Sequence, residues 1–313
     1  MKCILAKPRG FCAGVERAIL MVEKSVEKFK EPVYVRHEIV HNRFVVESLR
    51  KIGVVFVEDL SEVPYDSVVI FSAHGVSRDI YKEANNLRLK VIDATCPIVR
   101  AVHRNAIKYA NSGCSIVLIG HPGHAEIDGT LGQLPPGKMH LVSSVEDVEN
   151  LPTINGDIAY LTQTTLSTEE TADIIFALKK KYPDIQGSKT GNVCYATTNR
   201  QNAVRSICKE IDMLLIVGSQ NSSNSNRLRE LGEEHGIKSI LIDSVKDLNK
   251  DMFSSVNSVG ISSGASAPEY LVLEIVEWLK EHFNVEKIIE EYVIKEITKF
   301  PLPIELEERT SLC

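Results

Sequence analysis

Ser115-Ile116-Val117-Leu118-Ile119-Gly120-His121-Pro122-Gly123-His124 reads as an apolar strand that stops at a histidine, and two other stretches repeat it. These are Val33-Tyr34-Val35-Arg36-His37-Glu38-Ile39-Val40-His41 and Leu214-Leu215-Ile216-Val217-Gly218-Ser219-Gln220-Asn221-Ser222. Each terminal residue follows a cysteine at nearly constant distance: 29 positions from Cys12 to His41, 28 from Cys96 to His124 and 28 from Cys194 to Ser222. Further on, a second apolar strand in each copy ends in a small polar motif: Ser72-Ala73-His74-Gly75, Thr162-Gln163-Thr164-Thr165 and Ser262-Ser263-Gly264-Ala265-Ser266. An acidic stretch separates the two strands each time, around Glu58-Asp59, Glu146-Asp147 and Asp243 to Asp247. One unit written three times is the economical reading.

Between these strands lie helical patterns, such as Val15 to Lys24, Asn42 to Lys51 and Asn226 to His235. Strands alternating with helices predict an α/β fold with mostly parallel sheets. Ligands of such sheets bind beyond the carboxyl ends of the strands, where His41, His74, His124, Thr164, Ser222 and Ser266 fall. The repeat divides the chain into units at 13–94 and 97–190, with a third made of 1–12 and 191–281. The first strand is thereby expected to close a ring. Residues 282–313, interrupted by Pro301 and Pro303, are expected to form a tail that wraps the surface or caps the cleft.

The 313 residues are 43% hydrophobic and 25% charged, enough to bury a globular core. A net charge of −6 argues against a nucleic-acid partner, which needs clustered Lys and Arg. No uncharged apolar run approaches the roughly 18 residues of a membrane span, and no signal-peptide pattern opens the chain, so no membrane association and a cytoplasmic location are expected. Thiols stay reduced there, so the seven cysteines point to metal or redox chemistry before disulfides.

A lone cysteine is most often a small buried hydrophobe. Cys12, Cys96 and Cys194 differ because they occupy equivalent positions, each before a helix whose N-terminus favours the thiolate, and they read as metal ligands. Cys3, Cys114, Cys208 and Cys313 lack that symmetry and read as structural. There is no Cys-x-x-Cys pair for structural zinc. Three scattered thiolates better suit an iron–sulfur cubane, with one iron left open to substrate.

His41, His74 and His124, with Ser222, Asn224 and Ser266, form a set of donors able to clamp a phosphate or diphosphate. Singly, such a histidine is more often a bonded core residue, and such a serine a helix cap. Glu126, two positions after His124, is a candidate proton donor with Thr164 as relay, although an acid in the first turn of a helix is also favoured by the dipole. His37, His103, His121 and His140 have no counterpart of that kind and read as structural. The Gly-x-Gly-x-x-Gly fingerprint is absent, so no nicotinamide is expected.

Seven motifs in order carry a resemblance over essentially the whole chain: Gly10-Phe11-Cys12-Ala13-Gly14-Val15, Glu38-Ile39-Val40-His41-Asn42, Ser72-Ala73-His74-Gly75-Val76-Ser77, Asp93-Ala94-Thr95-Cys96-Pro97, Gly120-His121-Pro122-Gly123-His124-Ala125-Glu126, Thr162-Gln163-Thr164-Thr165-Leu166-Ser167 and Ser222-Ser223-Asn224-Ser225. With them the chain resembles the 4-hydroxy-3-methylbut-2-enyl diphosphate reductase family, which makes isopentenyl and dimethylallyl diphosphate in the last step of the non-mevalonate isoprenoid pathway. The resemblance implies a trefoil of three α/β domains, related by a pseudo-threefold axis, around one [4Fe–4S] cluster per subunit held by Cys12, Cys96 and Cys194. It assigns the diphosphate to His41, His74, His124, Ser222, Asn224 and Ser266, with Ser223 in the same motif. It also makes Glu126 the proton donor, Thr164 its hydroxyl partner and a substrate contact, and reduced ferredoxin or flavodoxin the electron source. An iron–sulfur sensor would share the cysteines yet have no need of the phosphate-binding residues, and a zinc hydrolase would use the histidines as ligands.

Overall fold

The computed structural model describes residues 1–187 and 191–307. The boundary expected at Thr190 and the end of the expected tail, with Cys313, lie outside them. From the N-terminus run β1 (Lys2–Lys7), α1 (Ala13–Lys28), β2 (Val33–Arg36), α2 (Arg43–Lys51), β3 (Val55–Val57), β4 (Val68–Phe71), α3 (Arg78–Asn86) and β5 (Lys90–Asp93). The middle of the chain forms α4 (Pro97–Asn111), β6 (Ser115–Ile119), α5 (Ala125–Leu131), β7 (Met139–Val142), α6 (Val145–Asn150), β8 (Ile158–Thr162) and α7 (Thr168–Lys181). The last part forms α8 (Tyr195–Ile207), β9 (Met213–Val217), α9 (Ser223–Glu234), β10 (Lys238–Ile242), β11 (Ser258–Ser263), α10 (Glu269–His282) and β12 (Lys287–Tyr292).

These strands make three sheets, ordered β3-β2-β4-β5, β7-β6-β8 and β10-β9-β11-β1-β12. Every pairing between them is parallel. The internal repeat is visible in the orders themselves: β2, β6 and β9 hold the same place, flanked by β3, β7 or β10 on one side and β4, β8 or β11 on the other. Next comes β5 in the first sheet and β1 in the third. In the second, that place is held by the single bridge of Ala159 with Gln186. The fold is thus the α/β trefoil expected from the sequence.

Parallel sheets need cover on both faces, and alternate residues of each strand supply it. Val33, Val35, Val68 and Ile70 face one core with Ala18 and Met21 of α1, while Val69 and Phe71 face another with Ala84 of α3. In the third sheet Cys3, Leu5, Met213 and Leu215 pack under α10, and Ile4, Ala6, Leu214 and Ile216 pack under α8. Each fully buried aliphatic side chain of this kind stabilises the fold by about 1.5–3 kcal/mol. Cys3 and Cys208 are buried within these cores, Cys114 is buried beside β6, and none of the three is paired in a disulfide.

The helices that follow the key cysteines carry the chain from one sheet to the next. α1 begins after β1 of the third sheet but buries Val15, Ala18 and Met21 against the first. α4 begins after β5 of the first sheet and buries Val102 and Ala106 against Ile116 and Leu118 of the second. α8 leaves the second unit and buries Ala203, Val204 and Ile207 against the third sheet. Cys12, Cys96 and Cys194 are the N-cap residues of these helices. They therefore stand at the three hand-overs.

One feature of the expected tail differs from the sequence reading. Residues 287–292 form β12, which adds to β1 at the edge of the third sheet. Lys287, Ile288, Glu290 and Tyr292 are exposed, so this edge strand lacks the apolar periodicity that marks the inner ones. Beyond it the chain crosses to the first unit, where Leu306 enters the core beneath α1.

Candidate active site

Most helices here start on a conventional cap: Asn42 accepts from the Val45 amide, Ser77 from Ile80 and Ser167 from Glu170. The three cysteines occupy the same position without making such a bond. A cap bond is worth about 1 kcal/mol, so three helices forgo it where a sulfur faces the centre. The backbone fixes each cysteine by a matching tether. Cys96 N donates to Ala73 O at 3.0 Å, Cys194 N to Thr164 O at 2.9 Å and Cys12 N to Ala265 O at 3.2 Å. The acceptors sit at or just before His74, Thr164 and Ser266. Each thiol is thus locked to the strand end that supplies a polar side chain.

All three cysteines line one central cavity of about 110 Å³. Gly14 is required beside them, since a Cβ there would lie 2.7 Å from Cys96 Sγ and 3.8 Å from Cys12 Sγ. Burial pushes the Cys96 thiol up to about 11 and Cys194 up to about 12, and the neighbouring cysteines add to both shifts. The amides of Ile98 and Val99 at Cys96, and of Ala196 and Thr197 at Cys194, pull the other way without prevailing. Three thiolates here need a positive group between them, and metal binding supplies one. Among the described residues no three His, Cys, Asp or Glu side chains are disposed to hold a single metal ion. A multi-iron cluster, whose ligands need not meet at one point, is a group that three such thiols could hold.

The same cavity is lined by every other residue singled out in the sequence: His41, His74, His124, Glu126, Thr164, Ser222, Ser223, Asn224 and Ser266. The imidazoles of His41 and His74 stack at 4.0 Å between centroids, and His124 stands edge-on to them at 5.4 and 6.0 Å. Burial first, then the other histidines, pushes His124 down to about 4 and His74 well below its usual range. An anion among them would reverse that repulsion. His124 Nδ1 accepts the Glu126 amide at 3.1 Å, which leaves the neutral ring's proton on Nε2 as a donor. His41 Nδ1 lies 3.2 Å from Glu38, which also accepts from Asn221 Nδ2 at 2.9 Å; its Nε2 is buried with no partner among the described residues. The bond from His41 is the main reason the Glu38 carboxyl is held below its usual range.

Asn224 is 4% exposed, and neither its amide nitrogen nor its oxygen has a partner among the described residues. Leaving such atoms unpaired in a buried site costs about 1–3 kcal/mol, so the side chain is poised for something that enters the cavity. Ser222 caps α9 and also lines the cavity, so the structural and binding readings coincide. Ser266 Oγ donates to His41 O at 3.0 Å and joins the third unit to the first.

Glu126 is 3% exposed, in the first turn of α5. Thr164 N donates to its Oε1 at 2.7 Å and Thr164 Oγ1 to its Oε2 at 2.8 Å. Both bonds favour the carboxylate, yet desolvation outweighs them and raises the group to about 7. It can therefore carry a proton at neutral pH.

The sequence reading passed over three cavity neighbours. Thr165 and Thr197 line the cavity, and Gln163 Nε2 reaches Thr165 Oγ1 at 2.9 Å and Ser223 Oγ at 3.4 Å. Thr197 lies one turn beyond Cys194 on α8 and donates to Thr164 O at 3.1 Å. Its spacing from the cysteine was the available signal. His103 is buried away from this cavity, and His37 pairs with Glu58 at 2.5 Å on the surface.

Comparison with known proteins agrees with this architecture. The family described as LytB protein matches residues 3–280. The chain is 53% identical over 309 residues to the 4-hydroxy-3-methylbut-2-enyl diphosphate reductase of Haemophilus influenzae (strain 86-028NP), covering 98% of each chain. It is 51% identical to that of Methylococcus capsulatus (strain Bath), again over 98% of each. Among solved structures, the E-1-hydroxy-2-methyl-but-2-enyl-4-diphosphate reductase of Plasmodium falciparum superposes with a TM-score of 0.93 at 39% identity, over 97% of this chain and 96% of that one. A structure of (E)-4-hydroxy-3-methyl-but-2-enyl diphosphate reductase gives 0.64 at 31% identity, over 90% of this chain and 100% of that one. The chain belongs to the LytB protein family.

Proposed function

We propose that the central cavity reductively dehydroxylates (E)-4-hydroxy-3-methylbut-2-enyl diphosphate, the last step of the non-mevalonate isoprenoid pathway. Two electrons and two protons enter, the 4-hydroxyl leaves as water, and isopentenyl or dimethylallyl diphosphate results. The chain is an oxidoreductase of that kind. The observation that carries this reading is one cavity lined by three symmetry-related thiols, a cluster of anion-seeking side chains and a carboxyl group that burial raises to about 7.

Cys12, Cys96 and Cys194 would hold a [4Fe–4S] cluster, one per subunit, which when bound supplies single electrons and an iron without a protein ligand. The three thiols stand at or near the junctions of the units 13–94, 97–190 and 1–12 with 191–281, and 282–313 is accessory to them. His124 Nε2, His41, His74 and the Asn224 amide, with Ser222, Ser223 and Ser266, bind the diphosphate; such charge-assisted bonds are about twice as strong as neutral ones. Glu126 holds the proton for the departing hydroxyl. When Glu126 is protonated it donates to Thr164 Oγ1, whose own hydrogen then turns into the cavity, so the pair passes a proton without either side chain moving far. Reduced ferredoxin or flavodoxin would deliver the electrons in the cytoplasm, where thiols stay reduced.

No helix among the described residues is long and apolar enough to cross a membrane. A sensor role has no use for the unpaired Asn224 amide or the histidine cluster. Anaerobically purified protein given a one-electron chemical reductant and the hydroxymethylbutenyl diphosphate should form both isoprenoid diphosphates, detected by mass spectrometry. Cluster-loaded protein that leaves the substrate unchanged would refute the assignment.

A further inference from the structure

Arg200 is a fully buried cation that none of the steps above uses. It lies on α8 beyond Cys194. Its Nε and Nη2 donate to Gly10 O at 3.1 and 2.7 Å, and Nη2 reaches Phe11 O at 3.3 Å. Nη1 donates to Ala196 O at 2.9 Å. Gly10 and Phe11 immediately precede Cys12, and Ala196 is two residues past Cys194. One guanidinium therefore joins the loop that carries one thiol to the helix that carries another.

The counter-charge comes from a distant part of the chain. Glu296, beyond β12, meets Arg200 Nη1 at 3.1 Å through Oε1 and at 3.3 Å through Oε2. Asn199 Nδ2 also donates to Oε1 at 3.0 Å. Further along the same segment Arg17 Nε donates to Pro301 O at 2.9 Å, and Leu302 and Leu306 pack into the core under α1. Residues 293–307 thus run from the third sheet across to the helix that Cys12 caps.

We propose that this segment is a clasp for the cluster-binding loops, in which Glu296 and Arg200 are positioning residues that hold Cys12 and Cys194 in place for the iron–sulfur group. The proposal rests on the reading of those cysteines as ligands. The physical reason is the buried charge. A guanidinium without its carboxylate is strongly disfavoured in the interior, so loss of Glu296 draws Arg200 toward water and releases the Gly10 and Phe11 carbonyls. Gly10 has a φ of +74°, open to glycine without strain, and glycine's backbone freedom leaves the bonds to its carbonyl to hold the loop before Cys12. Residues that orient metal ligands typically change metal affinity about 10–100-fold when removed.

The test compares wild-type holoprotein with Glu296→Gln and Glu296→Asp, all purified anaerobically, by the rate of iron transfer to a coloured chelator and by the thermal unfolding midpoint. The expected result, read well below the unfolding midpoint of every variant, is iron release roughly tenfold faster in Glu296→Gln and an intermediate rate in Glu296→Asp, with the midpoint lowered in both because Arg200 loses its partner. An unchanged release rate overturns the clasp. So does an equal acceleration in a control such as Leu178→Ala, which lowers the midpoint from the core of the second unit without touching the clasp and would make the pair a general stabiliser. Wild-type protein that binds no iron removes the ligand reading, and this inference with it.

Discussion

The cysteine collar and the polar ring face the same cavity but obey different symmetry. In the collar, three cysteines cap three crossover helices and three matching amide bonds tie them to neighbouring strand ends. In the ring, equivalent positions diverge. The loop after the first strand carries His41, His124 or Ser222, five residues past the strand's last residue, and two residues later stand Arg43, Glu126 or Asn224. Arg43 is exposed, whereas Glu126 and Asn224 are buried. A repeated fold can hold a compact, nearly symmetric group with identical residues, but a substrate with a charged end and a reacting end needs different ones.

Breaking the collar should have the largest effect. Cys96→Ser is expected to abolish turnover by losing the cluster, seen as lost iron and colour; full retention of iron would contradict the three-thiolate account. Changing the unit that alone carries an acid comes next. Glu126→Gln should keep iron and substrate binding while kcat falls about 10²–10⁴-fold, the usual worth of a positioned general acid.

The pH profile sharpens the same point. Glu126 is raised to about 7, so its acid form prevails below that pH and is lost above it. Turnover should fall about tenfold per unit once pH passes that value, and the limb should vanish in Glu126→Gln. A flat wild-type profile up to pH 9 would remove Glu126 as the donor. The smallest effect is expected in the third unit. Asn224→Ala should raise KM about tenfold, the worth of one hydrogen bond to a charged group, with kcat little changed. An equal loss in kcat would place Asn224 at the reacting end instead.

Much of this was legible because the repeat supplied its own control. The distance from Cys96 to His124 is uninformative alone, and its recurrence in two other places marked the repeat and with it the parallel sheets, although the strands stop at Arg36, Ile119 and Val217, five residues short of the expected His41, His124 and Ser222. What the sequence hid has a physical reason in each case. β12 is an edge strand with one polar face and no strong alternation. Gln163 reaches Thr165 within its own unit, but its bond to Ser223 crosses to the third unit and no local spacing reveals it. Arg200 reads as an ordinary helical arginine, and only the fold shows that its partners are the loop before Cys12 and a glutamate 96 residues later. That His124 Nδ1 serves as a helix cap, which sets its tautomer, likewise required coordinates.

On the proposed function, three symmetric thiols would present an iron–sulfur group to the substrate held by the asymmetric ring. The Mössbauer spectrum of ⁵⁷Fe-labelled protein, purified anaerobically and recorded with and without the hydroxymethylbutenyl diphosphate, tests it most directly. The account predicts a four-iron cluster with one distinct iron whose signal changes when substrate is added. Absence of iron, or a cluster whose spectrum ignores the substrate, would contradict it.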